Sequence, residues 1–355
     1  MLSRTGRMSR CVQGVAENHR EGGGMMMQDV WRRLGIGLVT LVLIGSLAGA
    51  LPARAAKVLT FAVVPKAINN PFFNDVRRGC EAEARKLGIR CEYTGPTVTE
   101  IQPQIQVLEA LIQRHVDGMA ISAVDGKAVV PVIKRAMAAG IPVVMFDADA
   151  APGSGRLAFI GTNNYRGGVA LGRAFAKGLP AGGRYAIITG GLGAENLNDR
   201  IRGVHDGLKE AGVAEKFMEV SGSPFPCNDD INRAVQLIEQ AITAHPDLSG
   251  VVAVGGWPLF APEALKQALK SKVEAMKSGK FAMVSFDTLK PELQLLKAGY
   301  VTTLVGQRPY KMGADSMDAL YDYLTKKVTP KDPTDTGLDI VDRSNVDRFL
   351  ANAGG

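Results

Sequence analysis

From Val58 onward, short apolar runs alternate with stretches whose apolar positions recur every three to four residues. The runs fall at 58–64, 90–94, 117–122, 142–147, 156–160, 184–189, 216–221, 250–255, 281–286 and 300–305. The amphipathic stretches between them predict helices over 72–87, 101–115, 127–139, 164–178, 198–211, 229–244, 259–270, 289–297 and 310–326. Unbroken runs such as "IPVVMF" and "YAIIT" suit strands covered by helices on both faces, as in a parallel sheet. Gly88, Gly140, Gly212 and Gly299 stand just past predicted helices, where a left-handed C-cap residue is wanted. Ten strands are many for one open sheet, and "DADAAPGSG" at 147–155 breaks the rhythm midway. The expectation is α/β: two doubly wound parallel-sheet lobes, the first ending near residue 162, with a ligand cleft between them.

The front of the chain has another character. Arg32 and Arg33 precede the 18-residue apolar run "LGIGLVTLVLIGSLAGAL", and an Ala-x-Ala site follows at Ala53–Ala55. That is the order of a cleavable export signal; a retained membrane anchor is the alternative. No Cys follows the run as a lipid acceptor would. One of Met25, Met26 or Met27 makes a better start, so 1–56 reads as an extension plus signal peptide. Without it the chain carries 35 Lys/Arg against 32 Asp/Glu, too balanced for a nucleic-acid footprint. Export implies an oxidising compartment, the periplasm. Cys80 falls in the first helix and Cys91 at the start of the next strand; a disulfide and two buried thiols both fit, and Cys227 is left over.

Ligands of such sheets bind beyond the carboxyl ends of the strands. The residues following the strands in turn are Lys66, Asn69, Asn70, Phe72 and Phe73; Asp147; Asn198 and Arg200; Trp257; Asp287; and Gln307. Planar bidentate polar groups and aromatic rings are complementary to a sugar, whose hydroxyls both donate and accept and whose C–H faces pack on rings. Taken singly, the rings read as core, the aspartates as turn or cap residues, Arg200 as a solvated helix residue and Lys66 as an exposed lysine beside the cleft.

Enzyme readings find less support. "GGLGAEN" after the sixth run offers Gly191 and Gly193 for a dinucleotide fingerprint, but Asn196 stands at its third glycine. No G-x-S-x-G elbow occurs. His115, His205 and His245 lack the spacing of a metal site, and Ala151 and Pro152 spoil "DADAAPGSG" as a calcium loop. No cofactor or metal is expected, and the protein is not read as an enzyme.

"NNPFFNDVRRG", "DGMAISAVD", "IPVVMFDAD", "FIGTNN", "RIRGVHDGL", "ITAHPDL", "VSFDT" and "LVGQRPYKMG" together resemble the periplasmic sugar-binding proteins of ABC importers, of the ribose-binding type, over about 57–345. The resemblance implies two lobes joined by three crossovers: 57–162 with about 308–335, and 163–307 with about 336–355. It implies capture of a monosaccharide by lobe closure and delivery to an inner-membrane permease, by a monomer. It places Asn70, Phe72, Phe73 and Asp147 on the ligand from the first lobe, Arg200 and Asp287 from the second, and Gln307 at the last hinge. Phe225 corresponds loosely to a second-lobe aromatic. The chain departs from the ribose binder at Ala148, which replaces an Arg, at Gly256 and Trp257, which replace an Asn, and at Lys66, which replaces a small hydroxyl residue. Trp257 is therefore expected to stack on a different or larger sugar, and Lys66 offers a contact for an acidic one. A receptor for a furanose-like signal or for chemotaxis shares the same features. A lac-type repressor shares the fold but carries a helix-turn-helix where this chain has its export signal.

Overall fold

The computed structural model describes residues 57–352; the expected extension and signal peptide lie outside them. The first lobe begins with β1 (Thr60–Val64), α1 (Phe72–Leu87), β2 (Arg90–Tyr93) and α2 (Ile101–Gln113). β3 (Gly118–Ile121), α3 (Val130–Ala138), β4 (Val143–Phe146) and β5 (Phe159–Gly161) complete the alternation. The second lobe opens with α4 (Asn164–Gly178), β6 (Gly183–Thr189), α5 (Glu195–Glu210), β7 (Phe217–Glu219) and β8 (Phe225–Pro226). It continues through α6 (Ile231–Ala244), β9 (Leu248–Ala253), α7 (Pro262–Ala268), α8 (Val273–Lys277), β10 (Ala282–Phe286), α9 (Lys290–Ala298) and β11 (Thr303–Gly306). Last come α10 (Pro309–Lys326), β12 (Thr334–Asp335), β13 (Asp339–Asp342) and α11 (Val346–Asn352).

The six-stranded first sheet runs β2-β1-β3-β4-β5-β12 and is parallel throughout. The second runs β7-β6-β9-β10-β11-β13, with β8 pairing β6 further along and β13 antiparallel at the edge. The chain passes between the sheets three times: after β5, after β11 and after β12. With β8 left aside, both sheets lay their first five strands in the same spatial order.

Burial on both faces follows from the strand sequences. All four residues of "GMAI" and "VVMF" are buried. Successive residues of β1 enter opposite cores: Phe61 and Val63 join α1 and α10, while Ala62 and Val64 join α2 and α3. Gly88 and Gly299 end α1 and α9 in the left-handed conformation, with φ of 67° and 87°. Cys80, on α1, and Cys91, on β2, are joined in a disulfide, their Cα atoms 6.0 Å apart. Cys227 is buried and free.

Two readings of the pattern need correction. The helix expected over 259–270 is broken into a 3-10 turn at Trp257–Phe260, α7, another turn at Lys270–Lys272, and α8, with Pro258 and Pro262 interrupting the regular ladder. The helix expected from 229 begins at Ile231, because Asp230 takes the N-cap and accepts from the Arg233 amide at 2.7 Å.

Candidate functional site

The carboxyl ends of the strands in the two sheets converge on one cavity. Asn70, Phe72, Phe73, Asp147, Arg200, Trp257, Asp287 and Gln307 all line it, and so does Lys66. Local sequence explains each placement. The side chain of Asn70 accepts from the Phe72 amide at 3.0 Å and starts α1, so Phe72 and Phe73 enter from its first turn. Their rings meet edge to face at 5.2 Å, and Phe73 continues onto Phe146 in the core. Both are therefore core and cavity wall at once.

Arg200 lies on α5, which packs backbone to backbone on α4. A Cβ at Gly168 would stand 2.1 Å from the Arg200 carbonyl oxygen, so only glycine allows this approach. The guanidinium, 2% exposed by residue, donates to Asn164 Oδ1 at 2.9 Å, to the Val254 carbonyl at 2.9 Å and to Gln307 Oε1 at 2.7 Å. It also lies 4.0 Å above the Phe286 ring. Gln307 passes the connection on, donating to Asp287 Oδ1 at 2.7 Å, while the Gly256 amide donates to Asp287 Oδ2 at 3.2 Å. Burial pulls the Arg200 pKa down and the carboxylates of Asp287 and Asp147 oppose it; burial pushes Asp287 up, against the pull of Arg200.

Across the cavity, Asp147 accepts from Ser122 Oγ at 2.7 Å and pairs with Lys66 at 3.7 Å. Lys66 is 3% exposed rather than a solvated lysine beside the cleft. Its charge is met by Asp147. Asn196 joins the lobes: it accepts from Lys66 Nζ at 3.2 Å and donates to Asp147 Oδ1 at 3.4 Å. Nearby, the Gly126 amide of the first lobe donates to the Gly193 carbonyl of the second at 3.1 Å. The glycine turn with the partial dinucleotide spacing thus meets the opposite lobe.

Three expected residues lie elsewhere. Asn69 is exposed and borders an adjoining groove. Asn198 donates to the Leu192 carbonyl at 3.0 Å and holds its own loop. Phe225 sits in β8 beside β6 and packs on the second-lobe core. That segment instead sends Asp229 into the cavity. Asn196, Asp229 and Phe260 are lining residues that the sequence reading did not assign. Asn196 carried a signal, since it is the polar residue where the fingerprint wanted glycine. Asp229 had none, because it read as the first residue of a helix.

Among the described residues, no group of three or more His, Cys, Asp or Glu is placed to hold a metal ion, and no helix is long and apolar enough to cross a membrane. The profile of the periplasmic binding protein domain matches residues 61–327. The ribose import binding protein RbsB of Salmonella typhimurium is 28% identical over 303 residues, 85% of this chain and 97% of that protein. The D-allose-binding periplasmic protein of Escherichia coli is 26% identical, over 81% of this chain and 92% of its own. An ABC transporter solute-binding protein from Burkholderia graminis, solved in complex with D-arabinose, is 36% identical with a TM-score of 0.72, covering 82% of this chain and 98% of that one. One from Agrobacterium vitis with bound D-fucose is 26% identical with a TM-score of 0.75, covering 83% and 99%. Two sheets, parallel but for one edge strand and joined by three crossovers, with a polar and aromatic cavity at their facing ends, therefore carry a family identity: the chain belongs to the periplasmic binding proteins, in their type I fold.

Proposed function

We propose that this protein is a periplasmic solute receptor, which captures a monosaccharide by closing its two lobes and presents it to an ABC-transporter permease. One observation carries the reading. Carboxylates, amides, a guanidinium and aromatic rings from both sheets line a single cavity, and neither lobe supplies the set alone. Asn70, Phe72, Phe73, Asp147 and Lys66 serve from one side; Arg200, Trp257, Asp287 and Gln307 serve from the other. Sugar touching both sets favours the closed arrangement, because only that arrangement offers both. The relatives bind ribose, allose, arabinose or fucose by their names, which supports a neutral aldose as the ligand class.

The lobe bounds proposed are 57–162 with about 308–335, and 163–307 with about 336–355. Residues 1–56 act as extension and signal peptide and are removed on export. The exported protein works as a monomer without nucleic acid or cofactor, and it catalyses nothing. The glycine turn at 190–193 contacts the other lobe, which speaks against a dinucleotide site there.

Trp257 is the only tryptophan after Trp31, so emission of the 57–355 protein reports on the cavity alone. Titration with D-ribose, D-allose, D-arabinose and D-fucose is expected to change that emission and release heat for at least one sugar. No change and no heat across the panel overturns a neutral aldose as the ligand class.

A further inference from the structure

Three carboxylates border the cavity, and they are not equivalent. Both oxygens of Asp147 accept from protein donors, Ser122 Oγ at 2.7 Å and Asn196 Nδ2 at 3.4 Å. Both oxygens of Asp287 do so as well, from Gln307 Nε2 at 2.7 Å and the Gly256 amide at 3.2 Å. Asp229 differs: its Oδ1 is buried and has no hydrogen-bond partner.

The backbone holds it there. Asn228 and Asp229 are both left-handed, with φ of 53° and 60°. Opposite them stands Gly190, where a Cβ would lie 2.0 Å from that oxygen. Capping does not explain the carboxylate, because Asp230 caps α6. Burial pushes the Asp229 pKa up and Lys66 pulls it back. A buried acceptor without a donor is unfavourable; the Gly191 amide, Lys66 and Arg200 favour the carboxylate, yet Oδ1 itself is left without a donor. A ligand donor would supply the missing bond.

We infer that Asp229 is a specificity-determining ligand residue, accepting a hydrogen bond from a hydroxyl or ammonium donor on the sugar edge turned toward Gly190. The inference rests on the sugar reading above. It means that this edge of the ring is read by a polar contact, where the sequence comparison had placed an aromatic one through Phe225. A site built to pair a ligand donor rejects analogues lacking that donor, because its own acceptor is then stranded.

The test compares wild type with Asp229→Asn and Asp229→Ala. Asn tolerates left-handed backbone and keeps a neutral acceptor, whereas Ala has none. Each protein is titrated calorimetrically with D-ribose, D-allose, D-arabinose, D-fucose, D-glucosamine and D-galactosamine, and its melting temperature is measured without sugar. The expected result is an affinity loss of at least about tenfold in Asp229→Ala, a smaller loss for neutral sugars in Asp229→Asn, and a sugar-free melting temperature of Asp229→Asn at or above wild type. A preference for amino sugars that Asp229→Asn abolishes identifies the donor as ammonium; losses confined to neutral sugars identify a hydroxyl. Unchanged affinity in both variants, for every sugar that wild type binds, overturns this inference and leaves the sugar reading standing. So does a lower sugar-free melting temperature in Asp229→Asn, which marks a structural residue. A wild-type protein that binds none of the six overturns both.

Discussion

Asp147 and Asp287 occupy the same place in the two sheets. Each follows a buried phenylalanine, Phe146 or Phe286, at the carboxyl end of its strand, and each has left-handed backbone, φ 56° and 75°. Few residues other than glycine accept that conformation, and Asp and Asn are the best tolerated. Asn at either position therefore keeps the backbone, but it removes the charge and sets an NH2 donor where one carboxylate oxygen accepts from the protein. Asp147→Asn and Asp287→Asn are each expected to weaken sugar binding by about 2 kcal/mol, roughly thirtyfold, as for a lost charged hydrogen bond. Calorimetric titration beside thermal unfolding checks this. Alanine at either position should also lower the sugar-free melting temperature.

Arg200 behaves differently. Taken singly in the sequence, it reads as a solvated helix residue whose loss costs the fold little. Its three donations to Asn164, Val254 and Gln307 alter that expectation. Arg200→Ala strands three buried acceptors and should destabilise the sugar-free protein by at least about 2 kcal/mol, measured by urea unfolding. Arg200→Lys should not restore it, since a single ammonium cannot reproduce a three-way fork.

Glu292 links the site to pH. It is fully buried behind Gly256; one oxygen accepts from the Leu289 amide at 2.5 Å and the other has no partner. Burial, aided by Asp287, raises its pKa well above the ordinary value. A raised carboxyl contributes stability that is fully present below its unfolded pKa of about 4.3 and is lost as pH rises through the folded value. Glu292→Gln should therefore be more stable than wild type at neutral pH. The difference should vanish near pH 4. Parallel melting curves across pH test it; equal stability at every pH would refute it.

The cysteines give a counting experiment. In the 57–355 protein, thiol titration under native conditions should find nothing reactive, because Cys227 is buried and its pKa is pushed up to about 12. Denaturation without reductant should release one thiol, and with reductant three. Reducing the Cys80–Cys91 bond, which spans 11 positions, should lower stability by roughly 2–3 kcal/mol on loop-entropy grounds.

The strand–helix rhythm was legible because buried parallel strands need unbroken apolar runs and their helices need one apolar face; α1 and α4 fall on the predicted bounds. The last crossover was less legible. β12 is two residues long and β13 reads "DIVD" at a sheet edge, so neither buries enough to write a pattern. Most of the main cavity residues could be read because they follow a strand or open a helix; Arg200, inside α5, was placed on the ligand through the resemblance. Asp229 could not, since a left-handed pair of residues, invisible to periodicity, turns it inward. Phe260 escaped for a similar reason: it ends a 3-10 turn where a regular helix was expected.

The bond from the Gly126 amide to the Gly193 carbonyl involves no cavity side chain, yet it forms only where the two lobes meet. Part of the work of shutting is thus done at the rim, by protein on protein. Such a latch sets how often an unloaded molecule is found shut, and observed affinity scales with that fraction. Evolution can therefore tune grip strength at the rim while leaving the choice of sugar to the residues inside.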